Sequence, residues 1–187
     1  MAVVNAEYKF VYVNCRQPGR IADGGVIRKT TFYKKLLQGE LNIPPPSETD
    51  EGLGFIFIGD EAFALDENMV KVYAQKTLTY ERRIFNYRVC RARNVVENAF
   101  GLIASKFRVL LTAIHLEPLK VNTIVMAICT LHNFLKRNSS RYANPASFDR
   151  EDPETHEIQQ NGGWREEINN LDAVVARVQS TVRKNTP

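Results

Sequence analysis

Two carboxylates stand out by position. Asp60 directly follows the apolar run Phe55-Ile56-Phe57-Ile58 and Gly59. Glu97 sits inside a long helical pattern, on a face that also carries Asn86, Arg93 and Gly101 at spacings of 7, 4 and 4. Carboxylate oxygens are what a hard divalent cation such as Mg²⁺ prefers, and such an ion keeps several waters beside them. Two ions held by three acids from separate elements can activate a water and stabilise the leaving oxygen of a phosphodiester. Asp60 and Glu97 are 37 residues apart, enough for a helix and crossover to return the chain to a sheet. Each acid also has an ordinary reading. Asp60 can cap the segment after the strand, and Glu97 can pair with Arg93 one turn earlier.

The elements that must position these acids follow from hydrophobic period and turn chemistry. Ala2-Val3-Val4 and Tyr8 to Val13 read as a hairpin turned at Asn5-Ala6-Glu7. Gln17-Pro18-Gly19 breaks the strand, Asp23 is a turn or cap residue, and Thr31 to Leu37 is a short helix. Pro44-Pro45-Pro46 places a loop over 42–54. Phe55 to Ile58 has the pattern of a strand buried on both faces, which puts Asp60 at a sheet rim where sites form. A helix is expected from about Thr79 to Phe107, with an apolar stripe of Val89, Val96, Phe100, Ile103 and Phe107 and a possible break or bend at Gly101. Another runs from Leu119 to Arg137. Its His132 has no Cys or His at ligand spacing and reads as a hydrogen-bonded core residue. His115 is given no role. The polar stretch 139–163 reads as a linker, and 164–187 as an amphipathic helix that folds back or binds a partner helix.

The chain has 187 residues, 44% hydrophobic and 25% charged. Those proportions exclude a wholly disordered, collagen-like or disulfide-scaffold protein. Apolar runs fall short of the roughly 18 residues a bilayer span needs, so no membrane is expected as a partner. The N-terminus lacks the pattern of a signal peptide. Cys15, Cys90 and Cys129 read as thiols in a reducing compartment. The net charge is +4, unevenly spread: Lys71 to Leu111 holds nine basic residues against two acidic. Such a segment is either the footprint of a polyanion or a solvated helix face. Phe85 and Tyr87, interleaved with the arginines, read as core residues. No glycine-rich phosphate loop, zinc motif or helix-turn-helix is evident.

Several motifs agree on one resemblance. Gly59-Asp60-Glu61-Ala62-Phe63-Ala64-Leu65, Arg82-Arg83-Ile84-Phe85-Asn86-Tyr87-Arg88, Arg91 to Gly101, Leu131-His132-Asn133-Phe134 and Asp23-Gly24-Gly25-Val26 resemble, in order, the PIF/Harbinger class of DDE transposases and the nucleases derived from them. The resemblance covers about residues 1–138, a partial catalytic domain. It implies an α/β, ribonuclease-H-like fold: a mixed five-stranded sheet flanked by helices, with an Asp-Asp-Glu triad holding two Mg²⁺ or Mn²⁺ ions. Asp60 matches the second acid and Glu97 the third. The first acid belongs to a strand that precedes everything present, so that strand is expected to be missing and catalysis impaired. Asn14 stands where many relatives carry an acid, Ala64 replaces a frequent proline, and Asp23 matches an acid outside the triad. On this resemblance Arg82, Arg83 and Arg93 would neutralise DNA phosphates without reading sequence. It further implies a Myb-like DNA-binding partner protein and action in the nucleus, with the cytoplasm as an additional location. A homodimer would cover surface left by the missing strand. The alternative is a domesticated module that binds DNA or protein without catalysis.

Overall fold

The N-terminal hairpin forms as expected. β1 (Ala2–Val4) runs antiparallel to β2 (Phe10–Val13), with Val3 opposite Tyr12 and a register irregularity between Val3 and Val4. The computed structural model describes residues 1–15, 23–45, 54–61, 63, 65–152 and 154–169. The chain divides into two compact units, Met1–Ala6 with Phe10–Val95, and Glu7–Lys9 with Val96–Pro187.

In the first unit, α1 (Asp23–Arg28) and α2 (Thr31–Leu37) are joined at Thr30. A helix thus begins at Asp23 despite the following glycines. Thr30 is fully buried, and its hydroxyl does two jobs. It donates to the Ile27 carbonyl at 2.6 Å and accepts from the Tyr33 N–H at 3.1 Å, which caps α2. Ile27, Phe32, Leu36 and Met69 form the core, with Tyr12, Phe57 and Phe63 packed around it. The Phe32 ring meets Phe57 edge-on, with centroids 5.0 Å apart. Burying a side chain of this size stabilises by roughly 1.5–3 kcal/mol.

The run Phe55 to Ile58 is less buried than its composition suggests. Only β3 (Phe57–Ile58) is a strand, paired in parallel with β4 (Met69–Val70). Phe55 and Ile56 are each 52% exposed. Among the described residues the strands pair two by two, in three separate sheets, so β3 does not lie inside a larger sheet. The fold is a mixed α/β arrangement of long helices and small sheets.

α3 (Tyr80–Lys106) and α4 (Pro118–Asn138) match the periodic segments within a residue or two. Thr79 caps α3, its hydroxyl accepting from the Arg82 N–H at 3.4 Å, and Pro118 opens α4 at a position where its missing N–H costs nothing. Gly101 does not break α3. The expected stripe holds in part: Val89 and Ile103 are buried and Val96 and Phe107 half-buried, whereas Phe100 is 45% exposed and the buried face widens instead to Ala99 and Leu102. Among the described residues no helix is long and apolar enough to cross a membrane, and the three cysteines form no disulfide.

The stretch read as a linker is ordered locally in the second unit. Asn144 caps the turn Pro145–Ser147, and β5 (Arg150–Glu151) pairs antiparallel with β6 (Ile158–Gln159). Residues 163–169 are helical, and the rest of the expected C-terminal helix lies outside the described residues.

His132 is a hydrogen-bonded core residue, as expected from its lone position on α4. It is fully buried; Nε2 lies 2.7 Å from the Tyr8 carbonyl and Nδ1 2.9 Å from the Tyr142 hydroxyl. A carbonyl only accepts, so Nε2 carries the hydrogen and neutral Nδ1 accepts from Tyr142. Tyr8 reaches this position with φ of 62°, a conformation costing about 1–3 kcal/mol for a bulky residue. Its ring stacks on Phe148 at 3.7 Å. Burial, then the Lys136 charge, hold the His132 pKa below its ordinary value against the pull of the Tyr8 carbonyl. Burial likewise raises that of Tyr142. The folded state therefore favours neutral imidazole, while the unfolded chain takes up a proton near pH 6.5. This stabilising contribution should be complete above about pH 6.5 and be lost as pH falls toward the depressed folded pKa. Urea melts at pH 7.5 and 5.5 test it. His132→Phe should cost about 2–3 kcal/mol at pH 7.5 and flatten that limb of the profile.

Candidate functional site

Asp60 lies immediately beyond β3. The ladder with β4 continues for one residue through Gly59, whose N–H donates to the Val70 carbonyl at 2.8 Å. A side chain at Gly59 would meet Phe63 at 2.7 Å and the Met69 sulfur at 3.1 Å. The glycine lets the chain turn against the core and leave Asp60 half-exposed at the strand end. Asp60 Oδ1 accepts from the Glu61 N–H at 2.7 Å and from Arg93 Nη1 at 2.6 Å. Asp60 thus holds the N–H of the next residue and forms an ion pair besides.

Arg93 comes from α3, held in this unit by a second device. Asn86 grips the backbone of Tyr73 twice: its Oδ1 accepts from the Tyr73 N–H at 2.7 Å, and its Nδ2 donates to the Tyr73 carbonyl at 2.8 Å. The Tyr73 ring packs edge-on against Phe85 and lies under the Arg82 guanidinium, 4.8 Å from the ring centroid. Asn86 was visible in the sequence as a member of the polar face, but nothing in its spacing announced a clip. Arg83 is exposed on α3.

Glu97 belongs to the second unit and is exposed. The next residue, Asn98, is buried, and its amide oxygen accepts from the Asp149 N–H at 2.9 Å and from the Trp164 indole N–H at 3.0 Å. The Asp149 carboxylate has no exposed side-chain surface and is paired with Arg165 through two bonds, at 3.0 and 2.6 Å, and with the Gly162 N–H at 2.9 Å. Burial pushes its pKa up, but the bonds from Arg165 and Gly162 and the Arg165 charge outweigh that and hold it below the ordinary value. The bond to Asp149, set against burial, holds the pKa of Arg165 above its ordinary value, and the charges of Asp149 and Glu97 add to this. Arg165 also lies over the Trp164 ring at 4.2 Å. The charge of Glu97 thus acts on Arg165, a residue that the sequence placed at the start of the C-terminal amphipathic helix. No spacing rule points from α3 to Asp149 or Arg165.

Asp60 and Glu97 fall in different units, and each is placed only within its own surroundings. For a divalent cation the donor chemistry is suitable, since both are exposed carboxylates. Arg93 already neutralises Asp60, and among the described residues no three His, Cys, Asp or Glu side chains gather into a metal-holding group. Asp23 begins α1, but its side chain and Ala64 lie outside what is described; Asn14 donates its amide to the Tyr12 hydroxyl at 3.4 Å.

Gly101, one turn beyond Glu97, is where Trp164 docks. A Cβ there would stand 2.4 Å from the indole ring. Gly101→Ala should displace Trp164 and destabilise by about 1–3 kcal/mol. Trp164 is the single tryptophan, so its emission reports directly. A red shift is expected, and an unchanged spectrum would show that the indole does not sit on Gly101.

Comparison with known proteins brings these residues together in another way. The sequence profile of the DDE superfamily endonuclease family matches residues 1–133. Over 140 residues the chain is 27% identical to Protein ALP1-like of Arabidopsis thaliana, an alignment covering 72% of this chain and 34% of that protein. The chain thus corresponds to about a third of the length of that curated relative. No solved structure matches. The match takes in Asp60, Arg93, Glu97 and Gly101 alike, and covers more than half of the chain: it belongs to the DDE superfamily endonuclease family.

Proposed function

We propose that the chain carries catalytic-domain residues of a metal-dependent DNA endonuclease or transposase-derived nuclease, with Asp60 and Glu97 as the second and third acids of a DDE triad. The observation that carries this reading is the family match across both acids and the helix bearing Glu97. The strand-then-helix order that puts an exposed carboxylate directly after β3 supports descent from a ribonuclease-H-like sheet. The ions would be Mg²⁺ or Mn²⁺, which supply water activation and stabilisation of a leaving oxygen in phosphodiester chemistry. The chain's own part is to present oxygen ligands and to attract the polyanion. Exposed Arg82 and Arg83 suit phosphate neutralisation, whereas Arg93 already has a carboxylate partner. A nuclear location, a Myb-like partner and a homodimer accompany this reading as proposals from resemblance.

A second reading, a module that binds DNA or protein without catalysis, is favoured by one observation: Asp60 is already paired with Arg93. Nicking of supercoiled plasmid in Mn²⁺ separates the two. The nuclease reading expects nicking that needs the ion and falls at least about 100-fold in Glu97→Gln and in Asp60→Asn, the scale of losing a group made for the transition state. Retention of the plasmid on the protein without nicking would select the binding module. Nicking at equal rates in parent and both variants would remove the two acids from the site.

A further inference from the structure

Arg93 was expected on a DNA-facing helix surface. The structure gives it a different partner. Its Nη1 stands 2.6 Å from Asp60 Oδ1, the same oxygen that accepts from the Glu61 N–H, and the side chains of Arg93 and Asp60 are 31% and 50% exposed. A second cation lies next to this turn: Lys71 Nζ donates to the Glu61 carbonyl at 3.1 Å. The end of β3 therefore carries positive charge where a ligand for a dication should present bare negative charge.

We propose that Arg93 is a built-in counter-ion that competes with a divalent cation for Asp60. The inference rests on the reading of Asp60 as a metal ligand and adds what regulates that ligand. A guanidinium satisfies a carboxylate oxygen with one charge and a directed hydrogen bond. A dication needs the same oxygen stripped of that donor, and it is repelled by a nearby positive charge. Because the pair is partly exposed, solvent screens it, and exchange of one cation for the other involves no rearrangement of a core. Arg93 thus sets the affinity of Asp60 for metal without forbidding occupancy.

The test is Mn²⁺ titration of the full chain by calorimetry, with free Mn²⁺ followed in parallel by its paramagnetic resonance signal. Arg93→Met keeps the apolar stem and removes the charge. It should bind Mn²⁺ roughly two- to fivefold more tightly than the parent, the scale of one partly exposed charge pair. Arg93→Lys, which restores the charge, should bind as the parent does, and circular dichroism checks that each variant is folded. In an Asp60→Asn background the gain from Arg93→Met should vanish. If Arg93→Met binds no more tightly than the parent while Asp60→Asn weakens binding, the competition is wrong and the ligand assignment stands. If Asp60→Asn leaves binding unchanged in both backgrounds, or no variant binds Mn²⁺, the ligand assignment itself fails, and the competition fails with it.

Discussion

The 2.6 Å pairing of Arg93 with Asp60 is the constraint on which the functional reading turns. It joins the end of β3 to α3 within the first unit, and it decides the charge at Asp60. Its strength is modest. Exposed ion pairs contribute about 0–1 kcal/mol, because water screens them and two long side chains must be held still. An interaction this weak cannot be what folds the unit. The core around Phe32, Leu36 and Met69 and the Thr30 cap do that. Its importance lies in occupancy, since a carboxylate oxygen with two donors has less capacity left for a metal ion.

The second unit shows the opposite use of the same chemistry. Asp149 and Arg165 also form a carboxylate–guanidinium pair, but the acid has no exposed side-chain surface and gains a third donor from Gly162. Removing Arg165 would leave a buried charge, a loss of about 3–5 kcal/mol. That pair is architectural. With Asn98 it fixes the indole of Trp164 over Gly101, so the helix turn after Glu97 is covered rather than open. Burial, not residue type, separates a pair that holds structure from one that can be exchanged.

This difference also explains what was legible beforehand. The hairpin, α2, α3 and α4 came from period and caps, and their ends agree within a residue or two, because local sequence alone dictates them. His132 was read correctly because a lone imidazole on an apolar helix face has few alternatives to a core hydrogen bond. The run at Phe55 misled, because an apolar tetrapeptide states a preference for burial but does not supply neighbouring strands. The order in 139–163 was invisible for the complementary reason. It rests on Asn98, Asp149, Asp152 and Asn144 making specific hydrogen bonds, and polar composition reads as linker whether or not those bonds form. The apolar stripe of α3 was right at Val89 and Ile103 and missed at Phe100, because burial there also follows Trp164 against Asn98 and Gly101, which no helical period encodes. In the candidate site the pairing was not legible: the sequence offered Arg93 either a phosphate or Glu97 one turn away, and the carboxylate it meets is Asp60, 33 residues distant and beyond the reach of any helical spacing.

Arg93 cannot satisfy both partners at once, and a linkage follows from that. On the proposed function, the nine basic residues between Lys71 and Leu111 would attract a polyanion, and Arg93 would contribute little net charge to that attraction while Asp60 neutralises it. Arg82 and Arg93, eleven residues apart, share a helix face, so a phosphate bound along that face competes with Asp60 for the guanidinium. On the proposed competition, a phosphate that draws Arg93 away leaves Asp60 more receptive to a cation, and a cation on Asp60 leaves Arg93 more receptive to phosphate. Thermodynamic reciprocity makes the two effects equal in free energy. Nucleic acid and metal would then reinforce one another through a single arginine, with no change in the fold around it.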